Sequence, residues 1–282
     1  MKHAQGKQAE VAEILAPRQA RRSRVQAVET GMAVLKGLSQ LGGRGSLKAL
    51  ADHVGQSPAK VHRYLASLID EGLVAQDPVS QQYYLGAEAI QIGIAAMRQA
   101  DPLRAVDLAL VRLREAHGVT CFVAVMGNHG PTIIKMEEPG LPVTINVRVG
   151  SVLPLMWSAT GRVFLGLLDD TRVRQMAQDE LAQANAARRP GLKGRDPIGQ
   201  VCRDVRKHGM AMVRDTYLPG ISAVAAPVYD HGGRVCSVLT ALGASGGFDP
   251  DLDGPVARSL RLEATAASAR LGFAARPATA PT

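Results

Sequence analysis

Gly55-Gln56-Ser57-Pro58-Ala59-Lys60-Val61-His62-Arg63-Tyr64-Leu65-Ala66-Ser67-Leu68-Ile69-Asp70-Glu71-Gly72 reads as one helix with both ends written into it. Ser57 is a favourable N-cap, because its hydroxyl accepts from a first-turn amide that has no partner inside the helix. Pro58, next in line, has no amide to leave unpaired there. Gly72 supplies the left-handed residue that ends helices, with Leu73 behind it for the accompanying apolar contact. Between these ends Val61, Leu65 and Leu68 recur at i, i+4 and i+7 and form one stripe to bury, with Tyr64 at its edge. At ~100° per residue the opposite face carries Ala59, Arg63 and Ser67, flanked by Lys60, Gln56 and His62. That face is short, polar and basic.

Just upstream, Ser46 can cap a helix from Leu47 to Val54, whose Leu47, Leu50, Ala51 and Val54 make one apolar side. Gly55 and Gln56 are then the turn between two helices. This is the helix-turn-helix arrangement, which lays its second helix in a DNA major groove; a plain helical hairpin with a solvated outer face is the competing reading. The surroundings favour the first. Val28, Val34, Leu35, Leu38 and Leu41 predict an earlier helix over 25–41, ended by Gly42-Gly43-Arg44-Gly45. Leu73–Gln76 and Gln82–Leu85 are short strand-like runs joined by Asp77-Pro78-Val79-Ser80, a polar turn that makes them a wing. Three helices and a wing define a winged helix-turn-helix domain over residues 25–86.

The charge is placed accordingly. The chain carries a formal +8, and residues 1–75 hold 11 Lys and Arg against 6 Asp and Glu, so most of the excess surrounds the reading helix and points to a polyanionic partner. Residues 1–24, with Arg18, Arg21, Arg22 and Arg24 and little to bury, are expected to be a flexible basic arm. Three cysteines, Cys121, Cys202 and Cys236, are an odd number at wide spacings, which fits neither a disulfide framework nor a zinc ribbon and suggests a reducing compartment. No apolar run reaches the ~18–20 residues of a membrane span and no signal-peptide core opens the chain, so the expected location is the cytoplasm, with no membrane partner.

Beyond the wing, residues 87–100 predict a connecting or dimerising helix with Ile90, Ile94 and Met97 on one face. A second domain, 101–273, opens with a helix that starts at Asp101-Pro102 and stops at Gly118. Strands are expected at Val119–Met126, Thr132–Glu137 and Val143–Val147, and helices at Thr160–Leu168, Thr171–Asn185 and Asp196–His208. Further strands at Met210–Arg214, Ala223–Tyr229 and Val235–Leu242 precede a closing helix, Pro255–Leu271, and residues 274–282 form a tail. Strand runs flanking helices imply an α+β domain with a largely antiparallel sheet.

The order of elements and their wording resemble the isocitrate-lyase-regulator (IclR) family of bacterial transcription factors over about residues 25–272. In the first domain the resemblance rests on Leu47-Lys48-Ala49-Leu50-Ala51-Asp52-His53-Val54-Gly55, Val61-His62-Arg63-Tyr64-Leu65, Glu71-Gly72-Leu73-Val74 and Tyr84-Leu85-Gly86. In the second it rests on Gly150, Leu153-Pro154-Leu155, Ser158-Ala159-Thr160-Gly161-Arg162, Arg206-Lys207-His208-Gly209, and Gly220-Ile221 leading to Ala225-Ala226-Pro227-Val228. The resemblance implies a homodimeric or homotetrameric regulator whose second domain has a GAF-like sensor fold and binds a small organic acid beside the Ser-Ala-Thr-Gly segment. A helix N-terminus suits a carboxylate, because its amides are unpaired and carry partial positive charge, which selects Ala159 and Thr160.

The chain departs from the family pattern nearby. Met156 stands where many relatives have His, followed by Trp157. Val213, Ala223 and Leu242 replace acidic, cysteine and serine positions of some pockets, while Thr240 stays polar. The expected effector is therefore an aromatic or partly apolar acid, held by the amides at one end and by Met156, Trp157 and Ala223 around its body. Filling core space or a subunit interface is the other use for Met156 and Trp157. For DNA, Lys60 and Arg63 are the expected groove or phosphate contacts, Ser57 with the neighbouring amides a phosphate contact, and His62 and Ser67 lesser ones; Ala59 is small enough to touch a thymine methyl. A two-fold dimer would read a pseudo-palindromic double-stranded operator. A sensor with vestigial DNA binding is the alternative.

Enzyme chemistry is poorly supported. Gly243-Ala244-Ser245-Gly246-Gly247 matches a nucleophile elbow after a predicted strand, but the last histidine, His231, precedes the serine, whereas a hydrolase of that fold needs it after. The seven histidines show no His-x-x-x-His pair, so neither a metal nor another cofactor is expected. Glu137 and Glu138 are adjacent and read as solvated loop charges.

Overall fold

The computed structural model describes residues 25–140, 147–184 and 195–274, and the chain divides into two compact units between Ala96 and Met97. In the first unit α1 (Gln26–Gln40), α2 (Leu47–Val54) and α3 (Pro58–Asp70) enclose a core of Val34, Leu38, Leu50, Ala51, Val61, Leu65 and Leu68. The caps are those the residues favour: the Ser46 hydroxyl accepts from the Ala49 amide at 3.2 Å and the Ser57 hydroxyl from the Lys60 amide at 3.4 Å. Gly72 takes φ +68°, and the Leu73 amide donates back to the Leu68 carbonyl at 2.9 Å.

A three-stranded sheet completes this unit in the order β1 (Arg44–Gly45), β3 (Tyr83–Leu85), β2 (Val74–Gln76), all antiparallel. The wing turn is closed by the Asp77 carboxylate, which accepts from the Val79 and Ser80 amides at 2.9 and 3.1 Å. Those amides, that of Ser80 first, hold its carboxyl below the ordinary range. The sequence reading treats Gly42–Gly45 as a loop; the structure makes its end a strand, because Arg44 and Gly45 pair with Tyr84 and Tyr83. The helix α4 (Ala87–Gln99) buries none of its side chains and exposes Ile90, Ile92, Ile94 and Met97.

The second unit is built on a five-stranded antiparallel sheet in the order β5 (Gly130–Glu137), β4 (Thr120–Gly127), β8 (Val235–Ala244), β7 (Ile221–Tyr229), β6 (Ala211–Arg214). One face packs on α5 (Pro102–His117) and α9 (Pro255–Arg270) through Val106, Leu110, Leu113, Leu239 and Leu260. The other packs on α6 (Ala159–Leu167), α7 (Thr171–Gln183) and α8 (Pro197–His208) through Phe122, Ile133, Phe164, Val173 and Val205. The α+β expectation is met with the sheet buried on both faces.

Pairing sets several boundaries that alternation could not. β7 starts at Ile221 rather than Ala223 and β8 runs on to Ala244, because Ile221 pairs with Ala244. Glu137 is no solvated loop charge: it ends β5 and accepts from Arg114 at 2.8 Å. Of the strand expected at Val143–Val147 only Val147 is described; it lies in no strand and is buried. The basic arm over 1–24, Asn185 and the tail beyond Ala274 lie outside the described residues.

Candidate functional site

The first unit presents the outer face of α3. Ser57, Ala59, His62, Arg63 and Ser67 are exposed and Lys60 is half-buried, all opposite the Val61–Leu65–Leu68 stripe. Among the described residues neither Lys60 nor Arg63 forms a salt bridge with a carboxylate, and Arg63 is exposed. Arg44 was not singled out in the sequence: its guanidinium sits 5.2 Å from the Tyr84 ring centroid and 3.3 Å from Asp77, which fixes a cation at the base of the wing. Its only sequence signal is one basic residue inside a glycine run.

In the second unit a cavity of about 40 Å³ opens at the N-terminus of α6. Ser158, Ala159 and Thr160 form one end. Phe122, Val213, Ala223, Thr240 and Leu242 line it from the sheet, and Val147, Leu153, Tyr217, Leu218 and Ile221 from loops and a strand end. The Ser158 hydroxyl caps α6 by accepting from Gly161 at 2.9 Å. The amides of Ala159 and Thr160 have no acceptor among the described residues. Beside them the hydroxyls of Thr160 and Thr240, both buried, lie 2.8 Å apart. Apart from the Tyr217 phenol the remaining walls are apolar, so most of the polarity lies at one end, as suits a carboxylate on an apolar body.

Of the residues selected from sequence, Ala159, Thr160, Val213, Ala223 and Thr240 line this cavity, whereas Met156 and Trp157 do not. Met156 is wholly buried and Trp157 2% exposed, both in the core on the α6–α8 side of the sheet. The cause is a side chain without a motif. The Glu180 carboxylate, on α7, accepts from the Leu155 amide at 2.7 Å and the Met156 amide at 3.0 Å. Arg162 Nε donates to the Met156 carbonyl at 2.9 Å, and burial lowers the pKa of that guanidinium from its usual value. Held on both sides, residues 154–158 point Met156 and Trp157 inward and leave Ser158–Thr160 at the cavity. Phe122, Tyr217, Leu218 and Glu180 escape a sequence reading because they reach the site from separate elements with no shared spacing.

Ser245 follows β8 in a turn, not at a helix start. Its hydroxyl donates to Asp215 at 2.7 Å, and the Ser222 hydroxyl lies 2.9 Å away. His231 is in the turn at the far end of the β7–β8 hairpin, about 30 Å away along the strands, which removes it as a base for Ser245.

Comparison with known proteins places both units. A family profile described as "Bacterial transcriptional regulator IclR C-terminal" matches residues 94–267, and one described as "IclR helix-turn-helix domain" matches 27–78. The chain is 38% identical to Pseudomonas aeruginosa HmgR, whose crystal structure it matches over 88% of this chain and 99% of that one with a TM-score of 0.78. It is 24% identical to the DNA-binding transcriptional repressor YiaJ of Escherichia coli over 89% of each chain. An IclR homolog from Microbacterium hydrocarbonoxydans, crystallised in complex with 4-hydroxybenzoate, shares the fold at 16% identity, with a TM-score of 0.50 over 87% of this chain and 98% of that one. Among the described residues no helix is long and apolar enough to cross a membrane.

Proposed function

The chain belongs to the IclR family of DNA-binding transcriptional regulators, and on that premise we propose that its second unit senses an aromatic or partly apolar carboxylic acid that modulates operator binding and so controls a catabolic operon. The observation that carries this is the one-ended polarity of the cavity. Two amides at the start of α6, without an acceptor among the described residues, and the Thr160–Thr240 hydroxyl pair would meet the carboxylate, with Phe122, Val213, Ala223 and Leu242 around the body. A relative that binds 4-hydroxybenzoate supports the ligand class. Met156 and Trp157, in the core, drop out of the ligand contacts.

On the DNA side, Lys60 and Arg63 would supply groove or phosphate contacts, with Ser57, His62 and Ser67 as further polar contacts and Ala59 against a thymine methyl. A homodimer or homotetramer in the cytoplasm would present two such helices to a pseudo-palindromic operator. The exposed Ile90, Ile94 and Met97 of α4 support self-association. The acid would act by favouring one spacing of the two helices, which requires that it bind the two arrangements with different affinity.

The test is a gel shift on the DNA upstream of the coding sequence, with competitor DNA and a panel of benzoates and aliphatic acids. A specific shift changed by one aromatic acid is the expected result. A shift indifferent to every acid, with Trp157 emission equally indifferent, would refute the sensing half.

A further inference from the structure

Taking the cavity as the acid site proposed above, we propose that residues 215–220, between β6 and β7, are its gate, and that Asp215, Ser245 and Ser222 form the catch that holds the gate shut. The cavity is too small as it stands. Its 40 Å³ accommodates a few waters, against ~300–1,000 Å³ for small-molecule sites, so one wall has to retreat before an aromatic acid can enter.

Most walls cannot. Phe122, Val213, Ala223, Thr240 and Leu242 are on paired strands, and Ser158–Thr160 are fixed at the start of α6. The Leu153 wall is stitched along β5: Gly150 donates to the Ile133 carbonyl at 2.7 Å, Ile133 to Ser151 at 3.0 Å, and Leu153 to Pro131 at 2.7 Å. Ile221 is held by its pairing with Ala244, which leaves, beside Val147, Tyr217 and Leu218, half-buried in a short connection whose Asp215, Pro219 and Gly220 are exposed.

That connection is built to swing. Both its ends are left-handed, Asp215 at φ +55° and Gly220 at φ +78°, a conformation that Asp adopts more readily than most non-glycine residues. Among the described residues, its hydrogen bonds to anything outside β6 and β7 all go to Ser245. The Ser245 hydroxyl donates to Asp215 Oδ1 at 2.7 Å, and its amide donates to the Gly220 carbonyl at 2.8 Å. The same Oδ1 accepts from the Gly220 amide at 2.8 Å, which ties the two hinge residues to each other. Because Ser245 gives its one hydroxyl proton to a carboxylate that can only accept, the buried Ser222 hydroxyl is the donor across the 2.9 Å contact to Ser245. None of these three residues lines the cavity, yet together they set how often its movable wall opens. This gives the serine of the Gly-x-Ser-x-Gly segment a non-catalytic use.

The experiment places a thiol on the cavity floor with Ala223→Cys and follows its reaction with 5,5′-dithiobis(2-nitrobenzoate), itself an aromatic carboxylate, subtracting the native thiols measured on the parent protein. Ser245→Ala and Asp215→Asn each remove part of the catch, and Asn tolerates the left-handed backbone that Asp215 adopts. With unchanged melting temperature, each is expected to label Cys at position 223 about tenfold faster, the size of change that one or two lost hydrogen bonds produce. As a second readout without any cavity substitution, amide exchange at Asp215 and Ile221 should quicken about tenfold in Ser245→Ala. Equal rates with and without the catch, or a thiol at 223 that reacts at once in the intact protein, would overturn the gate. If the catch controls labelling while no acid alters Trp157 emission or DNA binding, the gate stands and the acid-sensing reading falls.

Discussion

Glu180 offers the sharpest energetic test of how the cavity is placed. Its carboxylate accepts from two consecutive amides, Leu155 at 2.7 Å and Met156 at 3.0 Å, in a half-buried position. A hydrogen bond to a charged group contributes ~1.5–3 kcal/mol, and partial exposure argues for the lower end of that range. Glu180→Ala should therefore cost about 2–3 kcal/mol after water meets part of the loss, and Glu180→Gln, which keeps one acceptor, about 1 kcal/mol. For a unit of this size that is a melting-temperature drop of roughly 5–10 °C for the alanine variant. The assay is urea unfolding followed by the emission of Trp157, the only tryptophan, which lies in the core directly after the clamped amides. The expected order of stability is wild type, Gln, Ala, with the alanine variant also binding acid more weakly because residues 154–158 lead into α6. A loss under about 0.5 kcal/mol in both variants, with unchanged m, would refute the claim that this carboxylate sets the direction of the segment.

Three further outcomes are expected. Arg63→Ala should weaken operator binding by about 1–3 kcal/mol and leave acid affinity in the full chain unchanged, with binding falling steeply with salt; comparable loss of both affinities would end the division of labour between the units. Gly161→Ala should cost more than about 2 kcal/mol or yield insoluble protein, since a Cβ there would sit 2.1 Å from the Pro154 carbonyl oxygen and 2.5 Å from Leu155 Cα; a soluble variant of wild-type stability would show that the approach of the 154–155 turn to α6 relaxes freely. Burial pushes the Cys121 thiol from its ordinary value near 9 up to about 12. Between those values the unfolded chain has lost the proton that the folded one retains, so stability falls as pH rises through that window. Chemical unfolding at pH 8 and 10.5 should show a smaller fall in Cys121→Ala than in wild type.

The legible parts of the fold were those whose energetics are local. Ser46, Ser57 and Gly72 act on amides and carbonyls within a few residues of themselves, so caps and turns could be placed from the residues alone, and the Val61–Leu65–Leu68 stripe needed only the helical period. The exposed polar face of α3 is the other side of that same period. The cavity was legible only in part. Ala159 and Thr160 were found because a helix start announces itself. From the residues alone Trp157 and Met156 stay open between ligand and core, because large apolar side chains beside such a start serve a pocket or a core equally and nothing within ten residues says which.

The amino-acid sequence by itself determines the three-helix reading head, the basic face it turns outward and the antiparallel character of the second unit, since each follows from periodicity, capping and charge along a continuous stretch. The tertiary structure alone decided which side chains meet. Glu180 turns Met156 and Trp157 away from the cavity, Thr240 comes to Thr160 from 80 residues on, and Asp215 finds Ser245 across the start of a hairpin. Such contacts depend on pairing register and on hydrogen bonds between elements far apart in the chain, and no local pattern of residues records them.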